Sequence, residues 1–157
     1  MKIYIGSDHA GHELKDKLKN YLLKLGHEVD DKGAFKLNND DDYPDFIKPV
    51  ALAVSSNNES IGIIIGGSGE GEAICANRFK GIRAIVYYGG KSYQRDINGN
   101  KIGIVVGSRM HNNANIISLG ARFLTFRKAR KAVELFLKTP FSNDERHIRR
   151  INKIELN

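Results

Sequence analysis

Two hydrophobic patterns take turns along the chain: short unbroken apolar runs, and longer stretches in which apolar residues return every three or four positions. "KIYIGS" (Lys2–Ser7) is a β-branched and aromatic run of strand type. After it Leu14, Leu18, Tyr21, Leu22 and Leu25 fall at helical spacing with lysines between them, and Gly26 supplies a stop. "HEVDDKG" predicts a short second strand and "AFKLNNDDDYP" a polar loop. Pro44 opens a helix through about Ser56, with Phe46, Val50, Ala51 and Val54 on its inner face. "IGIIIG" (Ile61–Gly66) is a wholly apolar strand, "EAICANRF" begins a helix, and "IRAIVYY" is another apolar strand. Asn98-Gly99 between alternating runs predicts a β-hairpin insertion near 88–107. "NIISL" is a further strand, "FRKARKAVELFLKT" a helix, and "SNDERHIRRINKIEL" a basic final helix.

Strands that alternate with helices, several of them wholly apolar, imply an α/β fold with a parallel sheet covered on both faces. Ligands of open α/β sheets bind beyond the carboxyl ends of the strands. This places "SDHAG" after the first strand, "GGSGEGE" after the apolar strand and the segment after "IRAIVYY" on one rim.

The 157 residues suffice for a single domain, 1–157, with a proper core. Hydrophobic residues at 41% and charged residues at 27% give the balance of an ordinary globular protein. The net charge of +7 suits an anionic partner, a phosphorylated small molecule or a nucleic acid. Nucleic acid is disfavoured, because the basic helices carry neither interleaved aromatics nor a groove-reading element. One cysteine, Cys75, allows no internal disulfide and fits a reducing compartment. The start lacks the apolar stretch of a signal peptide, and no apolar run approaches the ~20 residues that span a bilayer. The expectation is a cytoplasmic protein without a membrane partner.

The glycine loop changes the picture most. Gly66 to Gly71 has the glycine spacing of a nucleotide phosphate loop, but Glu72 and Ala73 occupy the Lys and Ser/Thr places. The dinucleotide pattern fails too, since Gly67-x-Gly69 leads to Glu72. The loop keeps an anion-binding backbone and repels the usual anion. Proton transfer next to a carbonyl wants both features: a carboxylate base, and fixed N–H donors for the enediolate it creates. Glu70 reads as an acidic residue favoured by a helix start. Glu72 is left open between that and the base.

Other candidates have bland readings beside the chemical ones. Asp8 can cap a helix. His9 and His12 lack companions at a metal-ligand spacing, so no metal and no cofactor is expected. His111, before two asparagines, can be a solvated turn histidine. Arg146 and Arg150 are four apart on one helical face, where two guanidiniums can clamp a phosphate or merely face water. Arg127, Lys128, Arg130 and Lys131 read as solvent-facing charge.

Four motifs in order, "GSDHAG", "GGSGEGEAICANRFKGIRA", "HNNANIISLGAR" and "TPFSNDERHIRRI", together resemble the ribose-5-phosphate isomerase B family over nearly the whole chain. This is one branch of a sugar-phosphate isomerase family that also includes galactose-6-phosphate isomerase. The resemblance implies a Rossmann-like three-layer α/β sandwich with a mainly parallel five-stranded sheet. It implies metal-free interconversion of ribose 5-phosphate and ribulose 5-phosphate, a step of the pentose phosphate pathway. It also implies a homodimer or dimer of dimers with active sites at the subunit interface. Many members carry a cysteine base where this chain has Gly66; a second branch has a glutamate at the end of the loop, matched by Glu72. By position, Glu72, His111 and Ser68 are then catalytic. Asp8, His9, Gly67, Gly69, Gly71, Asn112, Arg122, Arg146 and Arg150 bind substrate. The chain is longer than the family pattern between Arg83 and His111 by roughly a dozen residues, where the hairpin is predicted. A hexose 6-phosphate isomerase and a non-catalytic sugar-phosphate-binding module remain the alternatives.

Overall fold

The computed structural model describes residues 1–90 and 93–154. Five strands form one sheet: Lys2–Ser7 (β1), Glu28–Asp31 (β2), Ile61–Gly66 (β3), Ala84–Tyr87 (β4) and Ile116–Gly120, numbered β7 in chain order. Their order across the sheet is β2-β1-β3-β7-β4, and every pairing is parallel. A separate antiparallel pair, Tyr93–Arg95 (β5) and Lys101–Gly103 (β6), is the hairpin. The helices are His12–Lys24 (α1), Pro44–Ser56 (α2), Glu70–Ala76 (α3), Ile104–Asn112 (α4), Phe126–Lys138 (α5) and Glu145–Ile151 (α6).

The central strand shows why the layers are three. All six residues of β3 are buried. Ile61, Ile63 and Ile65 pack with Leu14, Leu18 and Leu22 of α1 and with Val133 and Phe136 of α5. Ile64, facing the other way, packs with Ile47, Val50, Ala51 and Val54 of α2 and with Ala76 of α3. An unbroken apolar strand is what a parallel sheet covered on both faces requires. β4, at the sheet edge, is only half-buried.

Three expectations need correction. The inner face of α2 is carried by Ile47 rather than Phe46; Phe46 is half-buried and lies against Gly33. Leu25 follows the end of α1 and is 51% exposed. The hairpin stops at Gly103, and the β-branched residues 104–106 begin α4 instead. Val105 there joins the core that contains α5, so tertiary packing overrides β propensity. Asp96 shapes the hairpin turn, its carboxylate accepting from the backbone N–H groups of Asn98 and Asn100 at 2.8 Å each. Positions 91–92 of the predicted insertion, and 155–156 of the predicted final helix, lie outside the described residues.

A lysine is built into the core. Lys15 is 1% exposed, and its ammonium donates to Asp31 at 2.9 and 3.0 Å and to the Ala34 carbonyl at 2.7 Å. Lys19 donates to the same carboxylate at 2.7 Å. Burial pushes Asp31 upward, but the hydrogen bonds from Lys19 and Lys15 outweigh it and hold the carboxyl below its ordinary range. The unfolded chain therefore takes up this proton at higher pH than the folded chain. The stabilisation is full above the unfolded carboxylate pKa and is lost as pH falls through the depressed native value. Lys15→Met should cost about 3 kcal/mol of unfolding free energy at pH 7, the low end for breaking a buried pair because Lys19 remains. The deficit should shrink near pH 3, and urea unfolding at the two pH values checks both.

Candidate active site

A cavity opens beyond the carboxyl ends of β1, β3 and β7. It is lined by Asp8, His9 and Ala10 after β1, by Tyr43, by Gly67, Ser68, Gly71 and Glu72 after β3, and by Arg122 and Phe123 after β7. The described residues of the segment after β4, expected on this rim, do not line it. The next strand in the sheet, β7, does so through Arg122. Tyr88 of the β4 segment instead packs its ring against Phe123 at 5.7 Å.

The loop is held from below. The backbone N–H of Ala121 donates to Gly66 O at 2.8 Å, and that of Arg122 to Gly67 O at 3.1 Å. Ser118 Oγ, fully buried on β7, donates to Gly69 O at 2.6 Å. Gly69 sits at φ +85°, a left-handed conformation that glycine adopts without cost, and this turn launches α3. Ser68 Oγ accepts from Glu70 N at 3.2 Å.

Glu70 is exposed and Glu72 is buried, although they stand two residues apart in the first turn of α3. The Glu72 carboxylate lies against Gly66, filling the place that a side chain at position 66 would take. Burial pushes its pKa above the ordinary carboxylate range, and Asp8 adds to that push. The backbone N–H groups of Glu72 and Gly69 pull the other way. A carboxylate in a cleft with its pKa raised toward neutrality has the properties of a general base.

Asp8 both caps and lines. Its carboxylate accepts from Gly11 N at 3.1 Å, the capping role, and it stands in the cavity wall with 7% exposure. His9 Nδ1 lies 2.6 Å from Asp41 Oδ1, and the hydrogen bond raises the pKa of the imidazole. Asp8, His9 and Asp41 bring their donor atoms within 4.8 Å of one another. His9 Nδ1 and Asp41 Oδ1 are engaged with each other, while the Asp8 carboxylate accepts from the backbone N–H of Gly11. The Arg122 guanidinium lies over Gly67.

The remaining expected residues stand elsewhere. His111 and Asn112, at the end of α4, and Arg150, on α6, line a second cavity with Gln94 and His147. Arg146 does not line it and sits 3.7 Å from Asp144. The rings of His111 and His147 are 4.5 Å apart. His147 is buried, and that burial, followed by the charge of His111, lowers its pKa. Within one chain, therefore, Glu72 and His111 face different cavities. Asp41, Tyr43, Phe123, His147 and Gln94 are the residues that sequence reasoning missed. Tyr43 alone had a usable signal, directly before the proline that opens α2.

A parallel α/β sheet with a buried carboxylate on a glycine loop at its strand ends, faced by a histidine and an arginine, defines an α/β fold with a polar cavity at the carboxyl ends of its strands. Comparison narrows this. The family model for ribose/galactose isomerases matches residues 3–154. Ribose-5-phosphate isomerase B of Mycolicibacterium paratuberculosis is 40% identical over 97% of this chain and 88% of its own length. That of Escherichia coli is 35% identical over 98% and 93%. The crystal structure of ribose-5-phosphate isomerase B from Mycoplasma genitalium with bound ribulose-5-phosphate matches with TM-score 0.86 and 36% identity, over 98% of this chain and 93% of that one. The Thermotoga maritima enzyme matches with TM-score 0.83 and 42% identity, over 98% and 96%. The chain belongs to the ribose/galactose isomerase family.

The contact between Gly66 and Glu72 can be tested directly. The nearest atoms that a methyl group at position 66 would meet belong to the flexible end of Glu72, so Gly66→Ala should fold with little loss of stability. The carboxylate would have to move by about an ångström, enough to cost roughly 10²-fold in turnover if it is the base. Thermal unfolding and kcat, measured side by side, separate the two effects.

Proposed function

We propose that the chain interconverts D-ribose 5-phosphate and D-ribulose 5-phosphate through an enediolate, with Glu72 as the base. The observation that carries the assignment is the buried Glu72 carboxylate on the glycine loop, raised in pKa and open to a cavity lined by His9 and Arg122. The relatives named for this activity, and the neighbouring structure with bound ribulose-5-phosphate, support the substrate.

In this reading Glu72 takes the C2 proton of the open aldose and returns it to C1, while the hydroxyl proton moves from O2 to O1. The charge that develops on the oxygens is met by Ser68 and the loop amides of Gly67, Gly69 and Gly71, with Asn112. His111 gives a proton to the ring oxygen as its bond to C1 breaks, and the anomeric hydroxyl gives up its proton to water as it becomes the aldehyde oxygen. Asp8 holds a sugar hydroxyl, and His9, Arg122, Arg146 and Arg150 hold the phosphate.

These roles demand that two cavities act as one. His111, Asn112 and Arg150 line a different cavity from Glu72 in the same chain. A second copy that presents its α4 and α6 to the glycine loop would complete each site. The chain is thus proposed to work as a homodimer, or dimer of dimers, with active sites at the subunit interface. No helix of the described residues is long and apolar enough to cross a membrane.

Glu72→Gln should fold and lose about 10²–10⁴-fold in kcat, the scale of a lost acid–base group, with Glu70→Gln near wild type. Because the base must be ionised, kcat/KM should fall as pH drops through the raised Glu72 pKa, above the range of an ordinary carboxylate. Near-normal turnover of Glu72→Gln on ribose 5-phosphate would sink the assignment. Allose and galactose 6-phosphates assayed in parallel test the pentose preference.

Interface sharing has its own test. Glu72→Gln subunits mixed with Arg146→Ala/Arg150→Ala subunits, dissociated and reassociated, should regain activity, since each mixed dimer holds one intact site. Heterodimers that form and stay inactive would show that the arginines serve their own subunit.

A further inference from the structure

The polar loop before α2 contains three consecutive aspartates, Asp40, Asp41 and Asp42, and only the middle one turns inward. Asp40 and Asp42 are exposed, whereas the side chain of Asp41 is 6% exposed. One oxygen, Oδ1, accepts from the backbone N–H of His9 at 3.1 Å and lies 2.6 Å from His9 Nδ1. The other, Oδ2, is buried without a hydrogen-bond partner among the described residues. A buried carboxylate with an idle oxygen is costly unless a positive charge stands beside it. The group in contact with it that can carry one is the imidazole of His9.

We propose that Asp41 is a positioning residue that fixes His9 as a cation, with Nδ1–H bound to the carboxylate and Nε2–H left as the donor for the phosphate of the substrate. The proposal rests on reading the cavity as the sugar-phosphate site. The double attachment, to the backbone and to the ring of the same residue, fixes both the turn after β1 and the orientation of the imidazole. A neutral His9 with its proton on Nδ1 would present Nε2 as an acceptor, the wrong polarity for a phosphate oxygen. Only the protonated ring offers the second N–H while keeping the first on Asp41.

The charges around His9 are set against one another. The hydrogen bond to Asp41 raises the pKa of His9 most; Asp8 and the charge of Asp41 add to it, while partial burial and Arg122 oppose it. Glu72 faces the same cavity from α3. Arg122 is a cation that the site needs, and it discourages a second cation nearby. Asp41, behind the ring and away from the ligand, lets both be charged at once.

The test compares wild type with Asp41→Asn, an isosteric change that keeps an acceptor oxygen and removes the charge. NMR of the His9 imidazole, assigned by its loss in His9→Gln, should show titration moving to lower pH in Asp41→Asn. At pH 7.5 KM for ribose 5-phosphate should rise about tenfold with kcat changed less than about twofold, since the lost interaction is to the non-reacting end. At a pH where His9 is protonated in both proteins the KM gap should close, which a purely structural defect would not produce. An unmoved His9 titration, or a KM gap independent of pH, would overturn the proposal. If Asp41→Asn does not fold, wild type suffices. Binding of inorganic phosphate should then weaken as pH rises in step with the His9 titration in the same sample, and phosphate binding that ignores that titration would overturn it. Neither NMR nor phosphate binding reads turnover, so failure of the isomerase reading would be seen separately as absent activity with these results intact.

Discussion

A carboxylate held out of water against a residue without a side chain is the constraint on which the site depends. Glu72 occupies the volume next to Gly66, at the end of the wholly buried central strand of the sheet. Every nearby feature serves that placement. Ser118 and the backbone of Ala121 and Arg122 hold the loop to β7, and the left-handed turn at Gly69 starts α3 where its second acidic residue points inward. Burial then raises the pKa of the carboxyl, and the charge of Asp8 adds to it. A side chain at position 66 and the carboxylate of Glu72 compete for one place. That gives a physical reason for the two base arrangements that the family resemblance implies: a base carried on position 66, or a base reaching over a glycine there.

The framework was legible because β3 and the helices around it obey simple periodicities. Ile61 to Gly66 could hardly be anything but a covered strand, and α1, α2 and α5 start and stop near their sequence signals. What misled was local composition without context. The Val105-Val106 pair has strand propensity, yet α5 offers a surface on which a helix packs better. Phe46 has the larger side chain, but the angular position of Ile47 on α2 faces the sheet. The candidate site was half legible for a similar reason. A glutamate in a glycine loop announces itself by spacing, whereas Asp41 in a run of aspartates does not. Which of three adjacent carboxylates turns inward is decided by where β1 ends, and no local pattern records it.

The split between the two cavities follows from the topology. β1, β3 and β7 end on one rim and bring Asp8, His9, Glu72 and Arg122 together. α4 and α6 follow the hairpin and α5, and they place His111, Asn112 and Arg150 around a second opening. One opening holds the buried base and the other holds the ring-opening histidine and a phosphate-binding arginine of the proposed reaction. On the proposed mechanism neither half can act alone: one has a base without a positioned sugar, the other a cationic face without a base. A chain that folds correctly and stays monomeric would then lack activity without any local defect.

The Lys15–Asp31 and His9–Asp41 pairs show how the same chemistry serves different ends. Lys15 and Asp31 are buried together, and their bonds tie α1 to the turn after β2, a matter of stability. Asp41 and His9 form a pair of similar length, but the ring keeps a face on the cavity, with 28% of its side chain exposed. A lysine ammonium sealed on all sides spends its charge on the fold. An imidazole fixed at one nitrogen keeps its second for a ligand, and this geometric difference is what separates a structural ion pair from one that can act on a phosphate.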